Sequence, residues 1–213
     1  LFFGVGPKMV EERINRVSDH KSYDISEDAK DLHDTLFIGD WHADSTLWNR
    51  NLSNENDYGH VDIPRLQRGN VSLQMFTTVS KSPSKLNYEE NSGESNDSIT
   101  ALAIIQRWPL KTWNNLTERV IYQARKLHQI ANNDEENFML ILSKSDLDHF
   151  LNRKKDNPNL VGGLIGTEGS HALEGEIKNI DRLFNQGFRM MSLHHFFDNK
   201  LGGSLHGLSG EGL

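Results

Sequence analysis

Five short stretches of this chain are apolar along nearly their whole length, and helical or polar segments separate them. The stretches are residues 35–39 (TLFIG), 71–77 (VSLQMFT), 138–142 (FMLIL), 160–166 (LVGGLIG) and 189–193 (RMMSL). A strand with one wet face alternates polar and apolar residues, whereas a near-continuous apolar strand is covered on both faces. Strand and helix in alternation then dictate a parallel sheet flanked by helices. A doubly wound open sheet and a (β/α)8 barrel both satisfy that pattern. The barrel needs eight strands and roughly 250 residues. Five strands in 213 residues therefore predict a TIM-type α/β barrel truncated after about its fifth strand, if the barrel is the right choice.

Helical periodicity is clearest between the second and third stretches. Trp113, Leu116, Val120, Ala124, Leu127 and Ala131 recur at steps of three and four, which puts them on one face. Pro109 separates that helix from an earlier one that Asp97 or Ser98 would cap. A short helix is predicted over 146–152. Another is predicted over 174–186, with Ile177, Ile180, Leu183 and Phe184 inward and Gly187 closing its C-terminus. The tract 81–98, rich in Ser, Asn and Glu, reads as a long surface loop or lid. Gly162-Gly163, inside a strand, signals close backbone packing.

Residues 1–34 read as an N-terminal segment and 35–213 as the incomplete barrel. The opening Leu1-Phe2-Phe3-Gly4-Val5-Gly6 is apolar but far short of the about 20 residues that span a bilayer. It is either the remnant of a signal or anchor, followed by an amphipathic stretch over 9–17, or a buried segment. Residues 205–213 stop in a glycine-rich stretch, so the chain is expected to be a fragment at both ends. The formal charge of −7 argues against nucleic acid as a partner. With no cysteine, disulfide scaffolds, thiol catalysis and Cys-ligated zinc are excluded.

Polar residues of the ligand type follow three of the five strands. Asp40-Trp41-His42-Ala43-Asp44 follows the first, Thr167-Glu168-Gly169-Ser170-His171 the fourth and His194-His195 the fifth. In a parallel barrel all strand C-termini open on one face, so these groups would converge. This favours the barrel. Asp40, His42 and Asp44 alternate at period two, which points them to one side of an extended chain. A histidine and a carboxylate two residues apart can share one divalent ion, although the same spacing also suits a capped strand-end turn. Glu168 ends a buried strand, where a carboxylate is costly unless paired or metal-bound. Its two oxygens can bridge two ions or, alternatively, cap a helix or pair with an arginine. His195 suits a ligand, an acid–base group or an oxyanion donor, beside the apolar wall of Phe196 and Phe197. His20, His33, His128, His149 and His206 read as surface or packing residues.

These motifs resemble the membrane dipeptidase (renal dipeptidase, peptidase M19) family from about residue 35 onward. The likeness rests on Gly39-Asp40-Trp41-His42-Ala43-Asp44, on His60-Val61-Asp62-Ile63-Pro64-Arg65-Leu66-Gln67-Arg68-Gly69, and on Leu164-Ile165-Gly166-Thr167-Glu168-Gly169-Ser170-His171. It extends through Met191-Ser192-Leu193-His194-His195-Phe196-Phe197-Asp198-Asn199 and Gly207-Leu208-Ser209. The resemblance implies a binuclear zinc dipeptidase in which a metal-bridging hydroxide attacks the peptide bond. His42 and Asp44 would bind one Zn2+ and Glu168 both. His195 would be the catalytic, substrate-binding histidine, and Asp40 and His171 would stand behind the ligands. The family's two further zinc histidines, its substrate arginine and its catalytic aspartate would fall beyond residue 213. The resemblance also implies a dipeptide substrate, allows a homodimer, and favours an exported, periplasmic or membrane-anchored protein over a cytoplasmic one. Other two-metal barrel hydrolases, acting on a lactam, cyclic amide or phosphoester, would use the same residues, and a non-catalytic scaffold would use none.

Overall fold

A computed structural model describes residues 2–87 and 92–209. Leu1, four residues of the 81–98 tract and Gly210–Leu213 of the glycine-rich end lie outside the described residues. Five strands form a single sheet in which every pair is parallel: β1 Ile38–Ala43, β2 Val71–Val79, β3 Phe138–Leu140, β4 Val161–Glu168 and β5 Phe188–Met191. Among the described residues seven α-helices accompany them: α1 Phe2–Ile14, α2 Glu27–Thr35, α3 Ile63–Arg68, α4 Ser98–Ile105, α5 Leu116–Asn133, α6 Lys144–Asp156 and α7 Lys178–Asn185.

β4 is the hub. It pairs with β2 along the run from Leu73↔Gly162 to Val79↔Glu168, with β3 over Val161–Gly163 and with β5 over Ile165–Thr167. The spatial order β1-β2-β4-β3 departs from the consecutive order of an ideal barrel. Two features accompany the departure: β3 is only three residues long, and β4 is glycine-rich where β3 joins it. A Cβ on Gly163 would run into the Phe138 ring, and one on Gly162 would lie 2.7 Å from both Ile141 and Leu73. The close packing read from the paired glycines is therefore present, and its far wall is aromatic. Phe76 and Phe138 meet edge to face with centroids 5.9 Å apart, in a core with Val120, Ala124, Leu127, Ile165 and Phe188.

Several boundaries differ from the sequence reading, each for a local reason. Thr35 does not open the first strand but closes α2, where its hydroxyl donates to the Leu32 carbonyl at 2.7 Å. β1 therefore starts at Ile38 and contains Asp40 and His42. β1 is also less buried than β2 and β4, with Gly39, Trp41 and His42 exposed. α6 is longer than 146–152 because Ser143 caps it, accepting from the Asp146 N–H at 3.1 Å. α7 starts only at Lys178, after a 3-10 turn over Ser170–Leu173. Of the four apolar residues predicted to face inward there, Leu183 alone is buried. Ile177 is 83% exposed, and Ile180 and Phe184 are exposed too. Phe184 is covered instead by the Arg189 guanidinium, 4.0 Å from its centroid. Gly187 follows α7 at φ +95°, a left-handed turn that a side chain would strain.

α1 continues through Pro7 to Ile14. It rests on the body through Val10, which packs against the Trp48–Trp108 cluster, and through Glu11, buried 3.4 Å from Arg50. Among the described residues no helix is long and apolar enough to cross a membrane.

α5 fulfils its predicted apolar face, with Val120, Ala124 and Leu127 fully buried. Thr117, Arg119 and Gln123 are fully buried as well. A helix surface that the sequence presents as solvent-facing thus lies inside the protein.

Candidate metal centre

The parallel registers align the strand C-termini, and the site is assembled from those ends. In β1, Asp40 turns its carboxylate back on the chain and accepts the His42 backbone N–H at 3.0 Å. The register is irregular between Asp40 and Ala43, and Asp40 is not among the three residues whose ligand atoms cluster. Asp44 falls just past the strand and begins a 3-10 turn over Ser45–Leu47. His42 Nε2 lies 3.3 Å from Asp44 Oδ2 and 3.5 Å from Glu168 Oε1. One ligand atom from each of His42, Asp44 and Glu168 lies within 4.8 Å of the others.

His195 arrives from the loop after β5, with its Nε2 3.4 Å from Glu168 Oε1. Glu168 thus stands between two imidazoles. His171 goes elsewhere. Its ring nitrogen Nε2 meets the Phe197 carbonyl at 2.8 Å, and since a carbonyl only accepts, that nitrogen carries the proton. His171 therefore braces the loop that carries His195 and makes no hydrogen bond to His42, Asp44 or Glu168.

Thr77, at the C-terminal end of β2, is a site residue the sequence reading missed. Its hydroxyl donates to Asp44 Oδ1 at 2.5 Å. This leaves Asp44 Oδ2 as the oxygen turned toward His42. The available signal was positional: Thr77 ends an apolar stretch, as Asp40 and Glu168 do.

Burial and the negative charge of Asp44 push the Glu168 carboxyl up to about 7, with His42 opposing. Burial lowers the pKa of His195, which favours its neutral form, and Asp44 acts in the opposite direction. Burial also lowers that of His171. Two carboxylates and an imidazole that converge on one point form a donor set suited to a divalent ion. Ligands about 2.0–2.1 Å from a tetrahedral zinc lie about 3.3 Å from one another, and the His42 separations of 3.3 and 3.5 Å match that spacing. The residues fit the metal.

All-parallel strands flanked by helices, with imidazoles and carboxylates gathered at the strand C-termini, are the elements of a TIM-type α/β barrel with a candidate metal-binding mouth, although β3 and β4 lie out of the ideal barrel order. The sequence profile of the membrane dipeptidase family (peptidase family M19) matches residues 26–211, and the chain belongs to that family. Among solved structures, it is similar to the probable dipeptidase PvdM from Pseudomonas aeruginosa. The TM-score is 0.50 at 12% identity over 79% of this chain and 37% of that one. It is also similar to dipeptidase AC, a metallopeptidase of family M19. There the TM-score is 0.51 at 15% identity over 75% of this chain and 43% of that one. The chain thus spans less than half the length of the solved structures it matches. The comparison with curated proteins returned no match.

Proposed function

We propose that this chain carries the metal-binding half of a zinc-dependent dipeptidase that hydrolyses the peptide bond of dipeptides. The observation that supports the reading most is the convergence of His42, Asp44 and Glu168, with His195 3.4 Å from Glu168. Its family membership and the two dipeptidase structures that share its fold support the substrate class. In this reading His42 and Asp44 would hold one ion, and Glu168 would serve both that ion and a second. Bound there, divalent ions supply Lewis acidity toward a carbonyl and lower the pKa of water.

The chain's own residues do the rest. Asp40 fixes the His42 backbone, and Thr77 fixes the rotation of the Asp44 carboxylate. His195, whose neutral form burial favours, carries an Nε2 placed to donate to the oxygen where negative charge develops. His171 holds the loop behind it through the Phe197 carbonyl. The family's name favours export and membrane attachment, which we propose for the full-length protein along with a dipeptide partner.

The test is hydrolysis of a dipeptide panel by the full-length protein. The expected result is cleavage that a chelator abolishes and zinc restores. A zinc-loaded protein that leaves every dipeptide intact, or cleaves lactams or phosphoesters instead, overturns the reading.

A further inference from the structure

The turn that follows β1 is held in an unusual way. Ser45, Thr46, Leu47 and Trp48 are all buried, so their backbone carbonyls need partners. The carbonyls of Thr46, Leu47 and Trp48 each receive a side chain from a distant part of the chain. Lys126 Nζ donates to Thr46 O and to Trp48 O, both at 2.9 Å. Gln106 Nε2 donates to Leu47 O at 2.9 Å, and Asn49 Nδ2 returns a bond to Gln106 O at the same distance. The third Lys126 donor reaches Asn49 Oδ1 at 3.3 Å. An ammonium has three N–H donors, and all three are spent on this one turn.

Lys126 stands on α5, 4.8 Å from the Trp108 centroid and 5.0 Å from that of Tyr122. Burial pulls its pKa down to about 7, with Glu11 opposing. The turn it grips begins on Asp44, whose carbonyl accepts the Leu47 N–H at 3.0 Å. One helical turn earlier on the same helix, Gln123 accepts the Val79 N–H at 3.1 Å and donates to Val79 O at 2.9 Å. Val79 lies two residues beyond Thr77, the residue that orients Asp44. α5 therefore grips the exits of both strands that shape the Asp44 carboxylate.

We infer that Lys126 is a positioning residue for the metal centre: with Gln106, it clamps the buried turn after β1 and so fixes Asp44 for metal binding. Asp44 lies just past β1, an edge strand whose register is irregular between Asp40 and Ala43, so no strand hydrogen bonding fixes it. The clamp supplies the rigidity that the strand lacks. This inference rests on the metal-site reading proposed above.

The experiment is titration of the metal-free full-length protein with Zn2+, and with Co2+ for its absorption spectrum, in wild type and Lys126→Met. The control is Phe150→Leu, a core variant in the separate Ile141–Leu160 cluster. Thermal unfolding of each metal-free protein sets the stability scale. Residues that support ligands typically change metal affinity by about 10- to 100-fold. We expect that loss, with an altered Co2+ spectrum, in Lys126→Met and not in Phe150→Leu at a comparable drop in Tm. If Lys126→Met does not fold, Gln106→Leu, which frees only the Leu47 carbonyl, is expected to weaken metal binding in the same direction. Unchanged affinity and spectrum in a folded clamp variant overturn the inference, as does an equal loss in Phe150→Leu. A wild-type protein that binds neither ion overturns the metal-site reading and this inference with it.

Discussion

The two loops that bring functional groups to the mouth are built in opposite ways. The turn after β1, which begins on Asp44, is buried and tied by Lys126, Gln106 and Thr77 from three separate elements. The loop after β5, which carries His195, is mostly half-exposed, and its distal part is organised by one carboxylate. Asp198 accepts the backbone N–H groups of Ser204 at 2.7 Å, Leu208 at 2.8 Å and Ser209 at 2.9 Å. Those bonds, led by the one from Ser204, lower its pKa. A Cβ on Gly207 would collide with the same carboxylate, so glycine is needed where the loop crosses it. In the proposed reading Asp44 is a metal ligand, which needs a fixed position, and His195 faces substrate, which benefits from a loop that can adjust. The two constructions match those two demands.

The largest effect should come from the ligands themselves. Glu168→Gln removes a charge from the centre of the cluster and is expected to weaken zinc binding by more than about 100-fold, beyond the range seen for supporting residues. Calorimetric titration reads this directly, and near-wild-type affinity would remove Glu168 from the site.

Next is the buried framework behind the clamped turn. Arg119 is fully buried and donates to Asp97 Oδ2 and Ser80 O at 2.7 and 2.6 Å. Removing the guanidinium leaves the part-buried Asp97 carboxylate without its charge partner and two backbone carbonyls without a donor, and Arg119→Met is expected to cost about 3 kcal/mol in denaturant unfolding. The pair also has an acid signature. Burial pushes the Asp97 carboxyl up, but hydrogen bonds from Arg119 and Thr100 outweigh it, and the net pKa falls below 3.8. A depressed carboxylate contributes fully above its unfolded pKa and loses that contribution as pH drops through the folded one. Acid unfolding below about pH 4 should therefore be less steep in Asp97→Asn. A slope equal to wild type would show that the pair contributes nothing there.

Smaller effects separate the two loops. Thr77→Val keeps the shape of the side chain and removes the donor to Asp44, and about a 10-fold loss of zinc affinity is expected. Asp198→Asn should leave zinc affinity unchanged and raise KM several-fold in the dipeptide assay, because it loosens only the His195 side. If Asp198→Asn instead weakens metal binding as much as Thr77→Val does, the contrast between the loops fails.

The sequence and the structure agree best where position along a strand carries the signal. His42, Asp44 and Glu168 each sit at or beside the end of an apolar stretch, and parallel strand ends share one face, so their meeting was legible. The paired glycines of β4 and the apolar face of α5 were legible for the same reason, since burial leaves a periodic or steric trace. The polar half of α5 was not. Arg119, Gln123 and Lys126 read as a wet helix face because periodicity counts apolar residues, and nothing local reveals that their heads meet backbone carbonyls 39 to 80 residues away. The first strand was misplaced because Thr35, Leu36 and Phe37 suit a strand by composition, while Ser26 had already committed Thr35 to a capped helix. Ile177, Ile180 and Phe184 misled in the opposite direction. Their spacing is helical, but α7 starts at Lys178 and only Leu183 reaches the core.

The most direct test of the account is anomalous diffraction at the zinc edge from crystals of the full-length protein grown with zinc. The expected result is one ion touching His42 Nε2 and Asp44 Oδ2, and a second sharing Glu168 with it. Zinc-loaded crystals with no anomalous peak among these three side chains would contradict it.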